Sequence, residues 1–165
     1  MTNSAYVTDR TALDVERWRD LRDKGWDHMT DDERREWMGE IVPTPAASKG
    51  MYTYKDLRRV ETAVEKLKTR LVGVGIDLSD IVVKTDWSYT DMITQKDMER
   101  YIRNIILLRG AITPYPTTPS APKIGGKMDY RTANNIEKIL SDIDLITTNI
   151  AKDRWYSGEI HVGEV

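Results

Sequence analysis

Tyr54-Lys-Asp-Leu-Arg-Arg-Val-Glu-Thr-Ala-Val-Glu-Lys-Leu67 is the stretch that decides the fold, and a related stretch returns as Tyr130-Arg-Thr-Ala-Asn-Asn-Ile-Glu-Lys-Ile-Leu-Ser-Asp-Ile143. In both, a tyrosine is followed at the same offsets by a β-branched residue, a glutamate and two aliphatic residues. Apolar residues three and four positions apart fall on one face of an α-helix. The two stretches therefore predict related helices that pack on a shared core.

Three helices are expected to build that core. The first copy predicts a helix over 54–71 and the second a helix over 130–152. Between them Thr94 is expected to cap a third helix, which carries its own apolar stripe. Together they predict an all-α fold with a three-helix core from about residue 51 to 155. The expected inward-facing residues are Leu57, Val60, Val64, Leu67 and Leu71, then Met98, Tyr101, Ile102, Ile105, Leu108 and Ile112, then Ile136, Leu140, Ile143 and Ile150.

The N-terminal residues predict a helical hairpin. A helix is expected from about residue 11 to 24, stopped by Gly25. Thr30 and Glu33 have the spacing of a capping box and predict a second, short helix. The hairpin core is expected to draw on Val15, Trp18, Leu21, Trp26, Met29 and Trp37.

Residues 43–50 contain two prolines and a glycine, so they predict a linker that supplies no core residues. The expected organisation is a hairpin over 1–42, this linker, and a helical core domain over 51–165. Ile81-Val82-Val83 is typical of a short strand. From Tyr156 onward apolar and polar residues alternate, which predicts a short extended C-terminal arm.

Composition narrows the classes of function. The chain has 165 residues, 39% hydrophobic and 32% charged, which suits one globular domain. Its formal net charge of −2 gives no basic field for nucleic acid or anionic lipid. There is no cysteine, so thiolate chemistry and disulfides are excluded. No apolar run suits a membrane span and the polar start is not a signal peptide, so we expect synthesis and assembly in the cytoplasm.

The residues that could carry catalysis have a simpler explanation. His28 and His161 lack the neighbouring ligands of a metal site. Glu61 and Glu137 occupy equivalent repeat positions, and two carboxylates about 5–10 Å apart can act as acid and base. Both lie on charged helices, where ion pairs with Arg or Lys are more usual. We therefore expect no enzyme, no cofactor and no metal, although a small hydrolase stays open as the weakest alternative.

Nucleic-acid binding is also weighed against the sequence. The two N-terminal helices invite comparison with a helix-turn-helix, but the second begins with Asp31, Asp32 and Glu33, where phosphates would lie. The densest basic stretch, around Arg58, is interrupted by Glu61 and is typical of a solvated helix face. We expect no nucleic-acid partner.

Several aromatic residues lie outside the predicted helical seams. They are Trp87, Tyr115, Trp155 and Tyr156, and core filling competes with a protein or sugar contact for each. With Ile160 and Val162 of the terminal arm, they are the interface candidates.

A series of motifs gives a resemblance. Tyr52-Thr-Tyr-Lys-Asp-Leu-Arg-Arg-Val-Glu-Thr-Ala-Val is followed by Lys84-Thr-Asp-Trp87, Met98-Glu-Arg-Tyr-Ile-Arg-Asn-Ile, Asn134-Asn-Ile-Glu-Lys-Ile-Leu and Trp155-Tyr-Ser-Gly-Glu. In this order they resemble a domain of uncharacterised structural proteins of tailed phages and prophages of Gram-positive bacteria. The resemblance covers residues 8–165. The Pro43 to Ser48 insertion departs from the more compact join of that family.

The resemblance implies a non-enzymatic virion component made in the bacterial cytoplasm, of the tail, baseplate or fibre apparatus. Its implied partners are further copies of itself and other phage structural proteins. The alternative is a receptor- or carbohydrate-binding module at the tail tip that contacts the host surface. The family has no catalytic residues to carry over.

Overall fold

The computed structural model describes residues 6–158, and the side chains of residues 6–152. Helices form all of the regular structure in this part of the chain, which confirms the all-α prediction. They are α1 (Ala12–Lys24), α2 (Asp31–Met38), α3 (Ala47–Gly50), α4 (Tyr54–Gly73), α5 (Gln95–Gly110) and α6 (Tyr130–Gly158), with a 3₁₀ turn at Trp26–His28.

The core is a bundle of α4, α5 and α6, each of which packs against the other two. The predicted apolar faces are the faces that the bundle buries, and each fully buried Leu or Ile contributes about 1.5–3 kcal/mol. Three of the predicted inward residues are only partly buried, namely Met98 near the start of α5, Ile112 just after its end and Ile150 of α6. The core residues that lie below 2% exposure include Leu57, Leu67, Leu71, Ile105, Leu108, Ile136, Leu140 and Ile143.

The two repeat copies bury equivalent residues. Val60 and Glu61 of α4 are buried to the same degree as Ile136 and Glu137 of α6. The helices therefore have matching inner faces, and each face includes a glutamate.

Capping explains where the two N-terminal helices begin. Thr11 caps α1 with Asp14 in a capping box, and Thr30 caps α2 with Glu33 as predicted. Gly25 ends α1 with φ of 75°, a conformation that favours glycine.

The proline-containing segment is more than a linker. Ala46 and Ala47 are each 1% exposed, although we expected no core residues there. The Ala46 N–H donates to Asp14 at 2.7 Å, and the Ala47 N–H donates to Glu36 at 2.9 Å. The segment is thus docked on the hairpin, because two buried carboxylates accept its backbone N–H groups.

The hairpin core differs from the prediction at Val15, which is only partly buried and lies outside the cluster, and at Trp26. Leu21 and Met29 are buried, with Trp18 and Trp37 packed against them. Trp26 is 48% exposed, because it lies in the 3₁₀ turn and its ring packs under the Arg34 guanidinium.

Two predicted extended segments also need correction. Ile81-Val82-Val83 has no strand partner and is not a β-strand. α6 continues through Tyr156 to Gly158, past the predicted end at residue 152. Residues 159–165 of the predicted arm lie outside the described residues.

Candidate interaction surface and the buried carboxylates beneath it

Glu61 is completely buried on α4 and accepts hydrogen bonds from three directions. Arg100 of α5 donates to its two carboxylate oxygens at 2.6 and 2.8 Å. The Trp87 indole N–H donates at 3.1 Å, and the backbone N–H of Lys84 donates as well. The hydrogen bond to Glu61 raises the pKa of Arg100, which keeps its guanidinium charged.

Glu137, also completely buried, makes an equivalent set of bonds on α6. Arg59 of α4 donates to it at 2.6 Å and Arg10 donates at 2.8 Å. The backbone N–H of Val7 donates at 2.5 Å. Burial alone would lower the pKa of Arg59, but its bonds to Glu137 and Asp56 raise that pKa above its ordinary value.

Beside each glutamate an asparagine holds the same extended segment, and of the two Asn104 is buried while Asn134 is partly exposed. Asn104 accepts from the Val82 N–H at 3.3 Å and donates to the Val82 carbonyl at 2.7 Å. Asn134 accepts from the Arg10 N–H at 3.1 Å and donates to the Arg10 carbonyl at 2.8 Å. These amide pairs reproduce the bonds that a neighbouring strand would supply, which is why the Val82 segment is extended without a sheet.

The bundle therefore clamps one extended segment in each of two grooves. Residues 81–84 lie over α4 and α5, and residues 7–10 lie over α4 and α6. The sequence predicted ion pairs for both glutamates, and the structure confirms the pairing. It also shows complete burial, which we did not predict. Asn104 could have been found from the sequence, since it shares a helix face with Tyr101 and Leu108.

The arrangement of these carboxylates suits anchoring of the chain. The guanidinium and N–H donors occupy both oxygens of Glu61 and of Glu137. An acid or base must instead exchange its proton with a substrate or with water. The hydrogen bonds formed here hold backbone segments in place, and they position the loop that follows residue 84.

Trp87 was an interface candidate, and the structure places it in the core with 1% exposure. Its indole N–H needs an acceptor when buried, and Glu61 supplies one. The Lys84 ammonium lies 4.0 Å from the centre of the ring. Trp87 is thus an anchor for the loop, and its side chain is not available to a partner.

The other candidates are distributed along the chain. Tyr115 is half-buried in the proline-rich connection between α5 and α6. Trp155 and Tyr156 lie in the last turns of α6, beyond the side chains that the structure describes, and Ile160 and Val162 lie outside the described residues. Their interface roles stay predictions.

An exposed apolar loop, residues 88–93, was missed by the sequence analysis. Tyr89 is 84% exposed and Met92 is 89% exposed, and Ile93 is exposed beside them. Asp91 holds the loop in shape by accepting from the Ser88 N–H at 2.9 Å and from Lys84 at 3.0 Å. The bond from the Ser88 N–H lowers the pKa of Asp91. Residues 88–93 lie between Trp87 and the helix cap at Thr94. They have neither helical nor strand periodicity, so their pattern did not indicate an exposed apolar loop.

The described part of the chain offers neither a metal cluster nor a membrane span. Within it, no group of three or more His, Asp or Glu side chains could hold a metal ion. None of the described helices combines the length and hydropathy of a membrane span.

Comparison with known proteins identifies no relative of this chain. The chain matches no protein-family model. Searches of curated proteins and of solved structures likewise give no significant match.

Proposed function

We propose that this chain is a non-enzymatic structural subunit of a phage particle, of the tail, baseplate or fibre apparatus. The loop of residues 88–93 carries the proposal. Exposed apolar side chains grouped in one loop are typical of protein contacts, and a contact is favoured when the free protein already holds its bound shape. This loop has both properties, since Trp87 and Asp91 fix its base while Tyr89 and Met92 project.

The motif series of the sequence supports the same proposal. Several of its residues are those that build the clamps, namely Glu61, Trp87, Arg100, Asn134 and Glu137. A subunit that acts by position needs such anchoring, because its contact loops must hold one shape in every copy. Its partners are further copies of this chain and other structural proteins of the particle.

Mass spectrometry of purified particles tests the proposal. Particles are prepared from the strain that encodes this chain, and the chain is expected at a fixed ratio to the other structural proteins. Tyr89→Ser/Met92→Ser is expected to reduce its incorporation at least tenfold, while Leu145→Ser, an exposed apolar residue on α6, leaves it unchanged. Absence of the wild-type chain from particles would refute the proposal.

The alternative function is binding of a host carbohydrate. Its strongest support is a cleft of about 550 Å³ lined by Trp18, Trp37 and Tyr54 together with the polar Ser48 and Lys55. Aromatic and polar groups together are typical of a ligand site. Binding on a glycan array that Trp37→Ala abolishes would favour this alternative.

A further inference from the structure

The third groove of the bundle, between α5 and α6, is only half covered. Thr118 donates to Asp142 of α6 at 2.7 Å, and Arg109 of α5 donates to the Pro119 carbonyl at 2.6 Å. The proline-rich connection thus closes one half of the groove. The other half is an open cavity of about 620 Å³, which we call the open groove.

Apolar residues line the open groove, and two lysines lie beside it. Met98 and Ile102 come from α5, and Met128 precedes α6. Lys123 and Lys127 are exposed at its edge, and neither makes an ion pair with another described residue. The one acidic residue of the lining, Glu99, accepts from Gln95 at 2.7 Å. The surface is therefore apolar with an excess of positive charge.

One segment of this chain has the complementary pattern. Residues 159–165 read Glu-Ile-His-Val-Gly-Glu-Val, with apolar Ile160 and Val162 in alternation and acidic Glu159 and Glu164 near the two ends. Alternation of this kind places Ile160 and Val162 on one side of an extended chain, where pockets for alternate side chains can recognise them.

The segment cannot reach the groove of its own molecule. Thr132 lines the groove, and 26 residues of helix separate it from Gly158, which is about 39 Å along the axis. Val162 lies four residues beyond Gly158 and reaches at most about 14 Å from it. A segment that fits this groove must therefore come from another molecule.

We infer that the open groove receives residues 159–165 of a second copy of this chain, with Ile160 and Val162 against Met98, Ile102 and Met128, and with Glu159 and Glu164 near Lys123 and Lys127. The inference rests on the proposed function, since it names the contact through which copies of the subunit join. The contact is head-to-tail, so it generates a closed ring or a filament.

Complementation between two variants of the full chain tests the inference. Ile160→Asp/Val162→Asp damages the segment and leaves the groove intact, and Lys123→Glu/Lys127→Glu does the opposite. Sedimentation velocity is expected to show oligomers for the wild type and at least tenfold weaker association for each variant. An equimolar mixture of the two variants is expected to form a 1:1 dimer that grows no further, because one intact contact is available.

The controls separate this contact from general effects. Lys66→Glu makes the same kind of charge change on an exposed residue of α4 and is expected to associate as the wild type does. Circular dichroism must show equal helix content for all variants. A monomeric wild type at 100 μM and above, or variants that associate normally, or a mixture that stays monomeric, would overturn the inference. The chain found in particles alongside any of these results would leave the proposed function standing.

Discussion

Arg10 shows at the residue scale how one side chain can connect three distant parts of the chain. It is 5% exposed and bonds both Asp56 of α4 and Glu137 of α6, at 2.9 and 2.8 Å. Its guanidinium also lies over the Tyr52 ring. Arg59 pairs with the same two carboxylates, so the loss of Arg10 would leave two buried acidic groups with one guanidinium between them.

Arg10→Ala is expected to lower the free energy of unfolding by about 3–5 kcal/mol, since two buried carboxylates then share the single guanidinium of Arg59. Urea denaturation at pH 7 measures the change. Arg19→Ala, an exposed residue of α1, is the control and is expected within about 0.5 kcal/mol of the wild type. Equal stability of both variants would contradict the role of Arg10.

Glu61→Ala is expected to cost a similar amount, about 3–5 kcal/mol, because Arg100, Trp87 and the Lys84 N–H all lose their acceptor. The nearby exposed Glu65→Ala is the matched control on the same helix. Thermal denaturation of the two variants and of the wild type measures the loss. A destabilisation below about 1 kcal/mol would show that Glu61 is not an anchor.

At the scale of elements, α3 and α1 touch with almost no space between them. A Cβ atom built on Gly50 would lie 2.1 Å from the Asp14 carbonyl oxygen and 2.8 Å from the Trp18 Cβ. The Asp14 carboxylate also accepts from the Ala46 N–H and caps its own helix. Close backbone approach and a shared carboxylate therefore join the two elements.

Gly50→Ala is expected to destabilise the fold by at least about 2 kcal/mol, because backbone atoms must move apart. Gly73→Ala is the matched control: a Cβ there meets no atom within 4 Å, and the residue is helical. That control is expected to stabilise by about 0.5–1 kcal/mol. Thermal unfolding measures the change in stability of both variants. A change of the same sign in both would contradict the close contact at Gly50.

Asp14 gives the fold a defined response to acid. Burial works to raise its pKa, but the hydrogen bonds from Ala46 and Thr11 outweigh burial and lower it below the ordinary 3.8. A carboxyl group whose pKa is lower in the folded state than in the unfolded state stabilises the protein at pH values above its unfolded pKa. This contribution is lost as the pH falls through the folded pKa. Asp14→Asn should be less stable at pH 7, and its deficit should shrink below about pH 4. A deficit that is constant between pH 7 and pH 2.5 in urea titrations would contradict this.

At the scale of the whole molecule, the two clamps, formed by Glu61 with Asn104 and by Glu137 with Asn134, hold distant parts of the chain together. The segment before α1 is held by α4 and α6, and the segment before the exposed loop is held by α4 and α5. Every helix of the bundle thus supplies a buried polar group to a connecting segment. The bundle is a scaffold in this sense, and the loop of residues 88–93 and the open groove are the surfaces of contact that we propose.

Hydrogen exchange tests whether the clamps unite the molecule. In Arg10→Ala the amides of α6 near Glu137 are expected to lose protection together with those of α4 near Asp56, because both helices share the missing guanidinium. Loss confined to residues 7–11 would show that the N-terminal segment is attached without supporting the bundle.

The sequence by itself determined the two hairpin helices, the three bundle helices, most of their inward faces and the Thr30–Glu33 capping box. These features depend on residues three or four positions apart, so a local pattern contains them. It also indicated that Glu61 and Glu137 are ion-paired. Only the tertiary structure decided that both are buried, that Trp87 is an anchor, and that Arg10 meets Glu137 at a separation of 127 residues. Such pairs form when packing brings distant helices together, and no local period records which partner each charge will meet.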